Sequence, residues 1–257
     1  MGLEIKHLHK RFPTSEKNTL MDINLDIEDG EFICITGPSG CGKTTLLNII
    51  AGLDVPTDGE MLLDGKPITG AGADRVVMFQ ESALFPWLTV IDNVKFGLKI
   101  AGKSKEEQEK IAMHYLELVQ LAHFRDYRCH EISGGMKQRA ALARALALDS
   151  KILLMDEPFA SLDKQTKNVM RDEVQDICLK TKKTVILITH SIEEAVFFAD
   201  RIIVLSANPG QIINDIKVDF PRPRHIESPD FIELRANLLK QIRKEVDKNA
   251  GQEYNNN

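Results

Sequence analysis

The fold is decided by Gly37-Pro38-Ser39-Gly40-Cys41-Gly42-Lys43-Thr44, which is followed by Thr45. This stretch fits G-x-x-x-x-G-K-[ST], a phosphate-binding loop whose glycines let backbone N–H groups approach phosphate oxygens. Lys43 is predicted to reach the β- and γ-phosphates, and the Thr44 hydroxyl to take a Mg²⁺ position. The apolar run Phe32–Ile35 enters the loop and the helical stretch Thr45–Ala51 leaves it, so a helix N-terminus faces the anion. These flanks favour nucleotide binding over a plain glycine-rich turn.

The bulk composition is that of a globular protein. The chain has 257 residues, of which 43% are hydrophobic and 28% charged. Its net charge of −5 argues against a nucleic-acid surface, which draws on clustered Lys and Arg. The cysteines are scattered without metal-ligand spacing, so we expect free thiols. No apolar run approaches the roughly 20 residues needed to span a bilayer, so any membrane role is expected to come through a partner.

The order of apolar segments predicts an α/β fold with a mainly parallel core sheet. Alternating patterns at Leu3–Lys6 and Thr19–Ile27 predict an N-terminal antiparallel β element. Runs that are apolar on both faces, separated by helical segments, predict buried parallel strands at Ile152–Met155, Val185–Ile188 and Ile202–Leu205. Ser104 and Glu107 have the spacing of a capping box, which predicts that a helix begins there, between the N-terminal β element and the first of these parallel strands.

We expect one domain over residues 1–257, divided into regions. Residues 1–80 and 151–220 are predicted to form the nucleotide-binding core with its antiparallel β subdomain. Residues 81–150 are predicted to form an inserted helical subdomain. Residues 221–257 are predicted to hold an amphipathic helix, from about Pro229 to Val246, and a frayed tail from Gly251.

Two adjacent acids follow the run Ile152–Met155. An acid at the carboxyl end of a parallel strand lies where α/β sheets place ligand chemistry. Asp156 is therefore predicted to hold Mg²⁺, and Glu157 to polarise the attacking water. The alternative for such a pair is a solvated turn.

Six elements in order give the chain a resemblance to the ATP-binding-cassette (ABC) ATPases along nearly its whole length. They are the loop Gly37–Thr45, Gln80 after a strand, Ser133-Gly134-Gly135-Met136-Lys137-Gln138-Arg139, Asp156-Glu157-Pro158, Ser161-Leu162-Asp163, and His190. The implied fold is that of a P-loop NTPase, and the implied activity is hydrolysis of ATP with Mg²⁺.

The resemblance implies further roles. Phe12 would stack on the adenine, and Gln80 would ligate Mg²⁺ and sense the γ-phosphate. Ser133 and Gly135 would contact the γ-phosphate of ATP held by a second copy, at a helix N-terminus that offers N–H groups and a positive dipole end.

Two more residues take roles from the same resemblance. Asp163 would organise the dimer interface, and His190 would hydrogen-bond the γ-phosphate and orient the water. One phosphate loop and one signature segment, Ser133–Arg139, per chain imply a head-to-tail homodimer with two ATP sites.

Three further segments resemble the nitrate, sulfonate and taurine importer subclass of this family. The resemblance rests on Phe79–Val90, on Met136, which stands where the family more often has glutamine, and on Leu205–Ile212. The implied protein energises uptake of a small anion or sulfonate-like solute from the cytoplasmic face of the membrane. Its implied partners are membrane permease subunits and, indirectly, a solute-binding protein. Trp87, the only tryptophan, either contacts the permease or fills the core of the helical subdomain.

Two alternatives remain open at this point. One is a non-transport cassette ATPase acting on a soluble assembly such as a ribosome or a DNA-repair complex. The other is a nucleotide-binding regulator that does not turn over, against which Glu157 argues.

Overall fold

The structure is a computed structural model that describes residues 2–160 and 162–255, with side chains described as far as residue 244. The strands are β1 (Gly2–Lys10), β2 (Leu20–Glu28), β3 (Phe32–Thr36), β4 (Asp58–Leu63), β5 (Lys66–Pro67), β6 (Arg75–Met78), β7 (Ile152–Asp156), β8 (Thr184–Ile188), β9 (Arg201–Leu205) and β10 (Ile212–Lys217). The α-helices are α1 (Lys43–Ile50), α2 (Val90–Ile100), α3 (Lys105–Leu118), α4 (Gly134–Ala147), α5 (Lys164–Thr181), α6 (Ile192–Phe198) and α7 (Pro229–Asn255).

The first of two compact units holds the chain up to Gly72 and from Lys183 onward. Its antiparallel sheet has the order β2-β1-β4-β5. In its second sheet, β3 pairs in parallel with both β8 and β9, and β10 pairs antiparallel with β9. Every residue of β3 and β8 is buried, as expected for parallel strands covered on both faces.

The second unit is Ala73–Lys182. It holds the parallel pair β6 and β7 together with α2, α3, α4 and α5. The predicted capping box begins α3, since Ser104 Oγ accepts from the Glu107 N–H and the Glu107 carboxylate accepts from the Ser104 N–H. The alanine-rich face of α4, which includes Ala140 and Ala143, is buried.

The predicted α/β class, with parallel core pairing and an antiparallel N-terminal element, is confirmed. The C-terminal helix α7 extends to Asn255, beyond the expected end near Val246, so residues 251–255 are helical. Lys, Ala, Gln and Glu favour a helix there, and a single glycine costs only about 1 kcal/mol relative to alanine. Ser161, Asn256 and Asn257 lie outside the described residues. Within the described part of the chain, no helix is both long and apolar enough to cross a bilayer.

Candidate nucleotide site

The predicted phosphate loop joins β3 to α1 in the first unit. Gly42 is the N-cap of α1 with φ of 96°, and Gly40 has φ of 76°. Both values lie in the left-handed region that residues with a Cβ avoid. Ser39, Gly40 and Thr44 are exposed, so this part of the loop is accessible at a helix N-terminus.

Lys43 is held inside this loop. Its Nζ donates to the carbonyl oxygens of Gly37 at 3.0 Å and Pro38 at 2.9 Å, and lies 3.7 Å from Cys41 Sγ. The side chain is 8% exposed, so the ammonium charge is fixed at the centre of the loop. Burial raises the pKa of the Cys41 thiol, although the nearby Lys43 acts in the opposite direction.

Phe12 follows β1 and has a half-exposed ring. The Lys10 Nζ lies 4.9 Å from the ring centroid, and it also donates to Asp54 Oδ1 at 2.6 Å. Phe12 is 36% exposed, so part of its ring is accessible to a planar base.

His190 is exposed just beyond β8, and its loop is fixed by neighbouring hydroxyls. The Thr189 hydroxyl donates to the buried Glu194 carboxylate and accepts from the Ser191 N–H at 3.0 Å. Ser191 in turn caps α6, since its Oγ accepts from the Glu194 N–H at 3.3 Å. The backbone that carries His190 is therefore locked on its C-terminal side.

The adjacent acids lie at the end of β7 in the second unit. Asp156 and Glu157 are both half-buried, and Glu157 has φ of 44°. A left-handed backbone at a residue with a Cβ stores strain, and such strain clusters at functional sites. The pair is part of a turn in which the Ala160 N–H donates to the Glu157 carbonyl at 3.1 Å.

Gln80, in the second unit, is exposed beyond β6 and tied to the signature helix α4. The Gln138 side-chain amide donates to the main-chain carbonyl of Gln80 at 2.8 Å. Arg144, further along α4, donates to the carbonyls of Ala83 at 2.8 Å and Ser82 at 3.2 Å. Sequence reasoning missed the roles of Gln138 and Arg144, since nothing local in the sequence marks a contact across 58 residues.

The N-terminus of α4 holds Ser133 and Gly135, the residues predicted to contact a partner's nucleotide. Ser133 Oγ accepts from the Met136 N–H at 3.3 Å, and both Ser133 and Gly134 are exposed. A hydroxyl can accept this bond and still donate to a phosphate oxygen. Gly135 is buried and Met136 is half-buried, so this end presents Ser133 and Gly134 to solvent.

Asp163 is the N-cap of α5. Its Oδ1 accepts from the N–H groups of Gln165 and Thr166, each at 3.1 Å. Hydrogen bonds from the Thr166 side chain and from these N–H groups lower the pKa of Asp163.

The residues predicted to hold Mg²⁺ fit that ion by their donor atoms. Thr44, Gln80 and Asp156 offer a hydroxyl, an amide and a carboxylate, the hard oxygen ligands that Mg²⁺ takes. The described residues include no cluster of three or more His, Cys, Asp or Glu side chains able to hold a metal. Mg²⁺ bound with a nucleotide needs only one or two carboxylates, because phosphates and water supply the rest.

Comparison with known proteins agrees with this geometry. Residues 20–160 match the ABC transporter family. The nitrate import ATP-binding protein NrtD of Synechocystis is 48% identical over 86% of this chain and 84% of its own length. The taurine import ATP-binding protein TauB of Pseudomonas putida is 44% identical over 93% of this chain and 95% of its own.

A solved structure gives the same result for the fold. It is a dimer of the ATP-binding cassette MJ0796 in a post-hydrolysis state bound to ADP and Pi. It is 33% identical, with a TM-score of 0.74 over 85% of this chain and all of that one. The chain therefore belongs to the ABC transporter family, and it is an ATPase of the cassette class.

Proposed function

We propose that this ATPase energises the import of a small anion or sulfonate-like solute through a membrane permease. The names of the nitrate and taurine relatives support this solute class. The observation that carries the proposal is one chain holding both a phosphate loop with a buried Lys43 and an exposed helix N-terminus at Ser133.

The chemistry of this proposal is phosphoryl transfer to water. Lys43 and the loop N–H groups would bind and neutralise the β- and γ-phosphates, and Phe12 would stack on the adenine. Glu157 would polarise the attacking water, and His190 would orient it against the γ-phosphate. Mg²⁺, held by Thr44, Gln80 and Asp156, would supply charge neutralisation.

The same proposal requires a second copy of the chain. Ser133 and Gly135 would contact the γ-phosphate of ATP bound by the partner copy, through the hydroxyl and the positive end of α4. Asp163 would lie at the interface between the copies. Met136 replaces a polar side chain at this end, so the contacts depend on Ser133 and on backbone N–H groups.

A surface on the second unit suits the permease. A cavity of about 560 Å³ is lined by Trp87, Leu88, Asp92, Lys95, Phe96, Lys99, Lys105, Gln108 and Glu109. Trp87 is 65% exposed, so it does not fill the core, and that alternative for it was wrong. Phe85 packs against two of these lining residues, with ring centroids 5.5 Å from Trp87 and 4.3 Å from Phe96, and so supports both rings. Exposed aromatic side chains beside charged ones are typical of a docking site for a protein segment.

This proposal places the protein at the cytoplasmic face of the membrane, attached through the permease, with the solute-binding protein as an indirect partner. The test is to purify the tagged chain from solubilised native membranes and to identify its partners by mass spectrometry. The proposal predicts that a permease co-purifies with the chain. Trp87→Ala should reduce the recovery of this permease, while the purified Trp87→Ala chain still hydrolyses ATP. Recovery with ribosomes, or without any membrane protein, would contradict it and favour a soluble cassette ATPase.

A further inference from the structure

Gly135 in α4 packs directly against Thr166 in the first turn of α5. A Cβ on Gly135 would lie 2.6 Å from Thr166 Cγ2 and 3.9 Å from Thr166 Cβ. The first distance is far inside van der Waals contact and the second is ordinary contact. The methyl group of Thr166 thus occupies the space that a side chain at position 135 would need.

Thr166 makes its second contact with Asp163. Its side chain and its N–H both hydrogen-bond the Asp163 carboxylate, the N–H at 3.1 Å. One side chain therefore touches the signature segment with its methyl and the acid at the start of α5 with its hydroxyl. Both partners belong to segments that the proposed function places against a second copy of the chain.

An ion pair between the same two helices lies further from their N-termini. Arg139 Nη1 is 3.6 Å from Glu173 Oε1, and burial raises the pKa of Glu173 against the opposing effect of Arg139. Of these two contacts between the helices, the one at Thr166 adjoins Ser133–Gly135.

We propose that Thr166 is a positioning residue, which sets the distance between the first turns of α4 and α5. By doing so it holds the Ser133–Gly135 segment and Asp163 in the arrangement that meets the nucleotide of a second copy. This inference rests on the proposed function. Thr166 acts through these neighbours and does not itself touch the phosphate.

Threonine carries both groups that the geometry uses. Serine keeps the hydroxyl that binds Asp163 but lacks the methyl that packs on Gly135. Valine keeps a methyl of nearly the same shape but loses the hydroxyl. The two replacements therefore separate the contacts.

The decisive experiment is a pair of variants in the full-length protein. Gly135→Ala introduces the 2.6 Å clash and should lower kcat for ATP hydrolysis by about 10- to 100-fold, the scale of a displacement near 1 Å at a reacting group. Adding Thr166→Ser removes Cγ2, leaves only the 3.9 Å contact, and should restore most of the lost kcat. Equal inactivity of the single and double variants would overturn the proposal.

Single variants and a matched control complete the test. Thr166→Val should lower kcat and leave the Kd of the isolated chain for ATP unchanged, because the phosphate loop is untouched. Glu173→Gln removes the charge that pairs with Arg139 between these helices. It should leave kcat unchanged, even if the melting temperature changes. A Thr166→Val kcat equal to wild type, or a parallel loss in Glu173→Gln, would overturn the proposal.

One further measurement distinguishes failure of this inference from failure of the proposed function. Glu157→Gln should form an ATP-dependent dimer in size-exclusion chromatography, and adding Gly135→Ala should abolish it. Absence of any ATP-dependent dimer in Glu157→Gln alone would contradict the proposed function itself. A dimer that survives Gly135→Ala would contradict only the role of Thr166.

Discussion

Replacing Gly42 by alanine tests the loop geometry most sharply. Gly42 has φ of 96°, and a Cβ there would lie 2.7 Å from Leu20 Cδ2 and 3.2 Å from Thr19 Cγ2. Gly40 provides the matched control, since its φ is 76° and a Cβ would have nothing within 4 Å. Both alanines are strained by the backbone, but only the one at position 42 also collides with the core.

The magnitudes follow from these two effects. A left-handed backbone costs a residue with a Cβ about 1–2 kcal/mol, partly offset by roughly 0.5–1 kcal/mol from restricting the unfolded chain. The collision with the buried Leu20 adds about 1–3 kcal/mol of overpacking. We expect Gly40→Ala to lose about 0.5–1 kcal/mol and Gly42→Ala about 2–4 kcal/mol. At about 2–4 °C per kcal/mol, the melting temperature of Gly42→Ala falls by about 4–16 °C.

The assay is thermal unfolding of both variants without nucleotide, because a bound ligand would raise the melting temperature by mass action. Titration with ATP should then show weaker binding in Gly42→Ala, whose loop N–H groups are displaced. Equal losses of melting temperature at the two positions would refute the reasoning, since the contact with Leu20 would then contribute nothing.

Three further predictions follow. Glu157→Gln should lose nearly all hydrolysis and keep ATP binding, measured by phosphate release and by titration; retained turnover would remove Glu157 from its role. Gln138→Ala should lower kcat more than ATP affinity, because it frees the Gln80 carbonyl from α4; an unchanged kcat would show that this hydrogen bond positions nothing. Alkylation of Cys41 should be slow at pH of about 7 and still rising above pH of about 9, because a raised pKa lowers the thiolate fraction. A rate already constant below pH of about 8 would contradict that direction.

The local patterns predicted the fold well. The phosphate loop, the buried run of β3 and the capping box of α3 each depend on residues close together in the chain. Periodicity and spacing report such features directly, because one element's pattern reflects the face it buries. The extent of α7 as far as Asn255 was not predicted, since Gly251 in a polar stretch is typical of a fraying chain end.

Long-range contacts could not be predicted in this way. The hydrogen bond from Gln138 to Gln80 and the packing of Thr166 on Gly135 join segments far apart in sequence. Gln138 and Thr166 are ordinary polar residues on helices, and only the three-dimensional arrangement gives them a partner. The sequence could not decide whether Trp87 is buried or exposed, since an aromatic residue suits a core and a docking surface alike.

The roles of the site residues in a head-to-tail dimer are tested most directly by mixing two inactive variants. Lys43→Ala disables the phosphate loop of its own chain, and Ser133→Arg disables the signature end that a partner's nucleotide would meet. In a mixed dimer one site would carry both defects and the other would carry neither.

The measurement is the ATPase rate of an equal mixture after exchange of subunits. Random pairing of the two variants predicts recovery of about a quarter of the wild-type rate, since about half of the dimers are mixed and each holds one intact site. A mixture no more active than the two variants measured separately would contradict the shared ATP site.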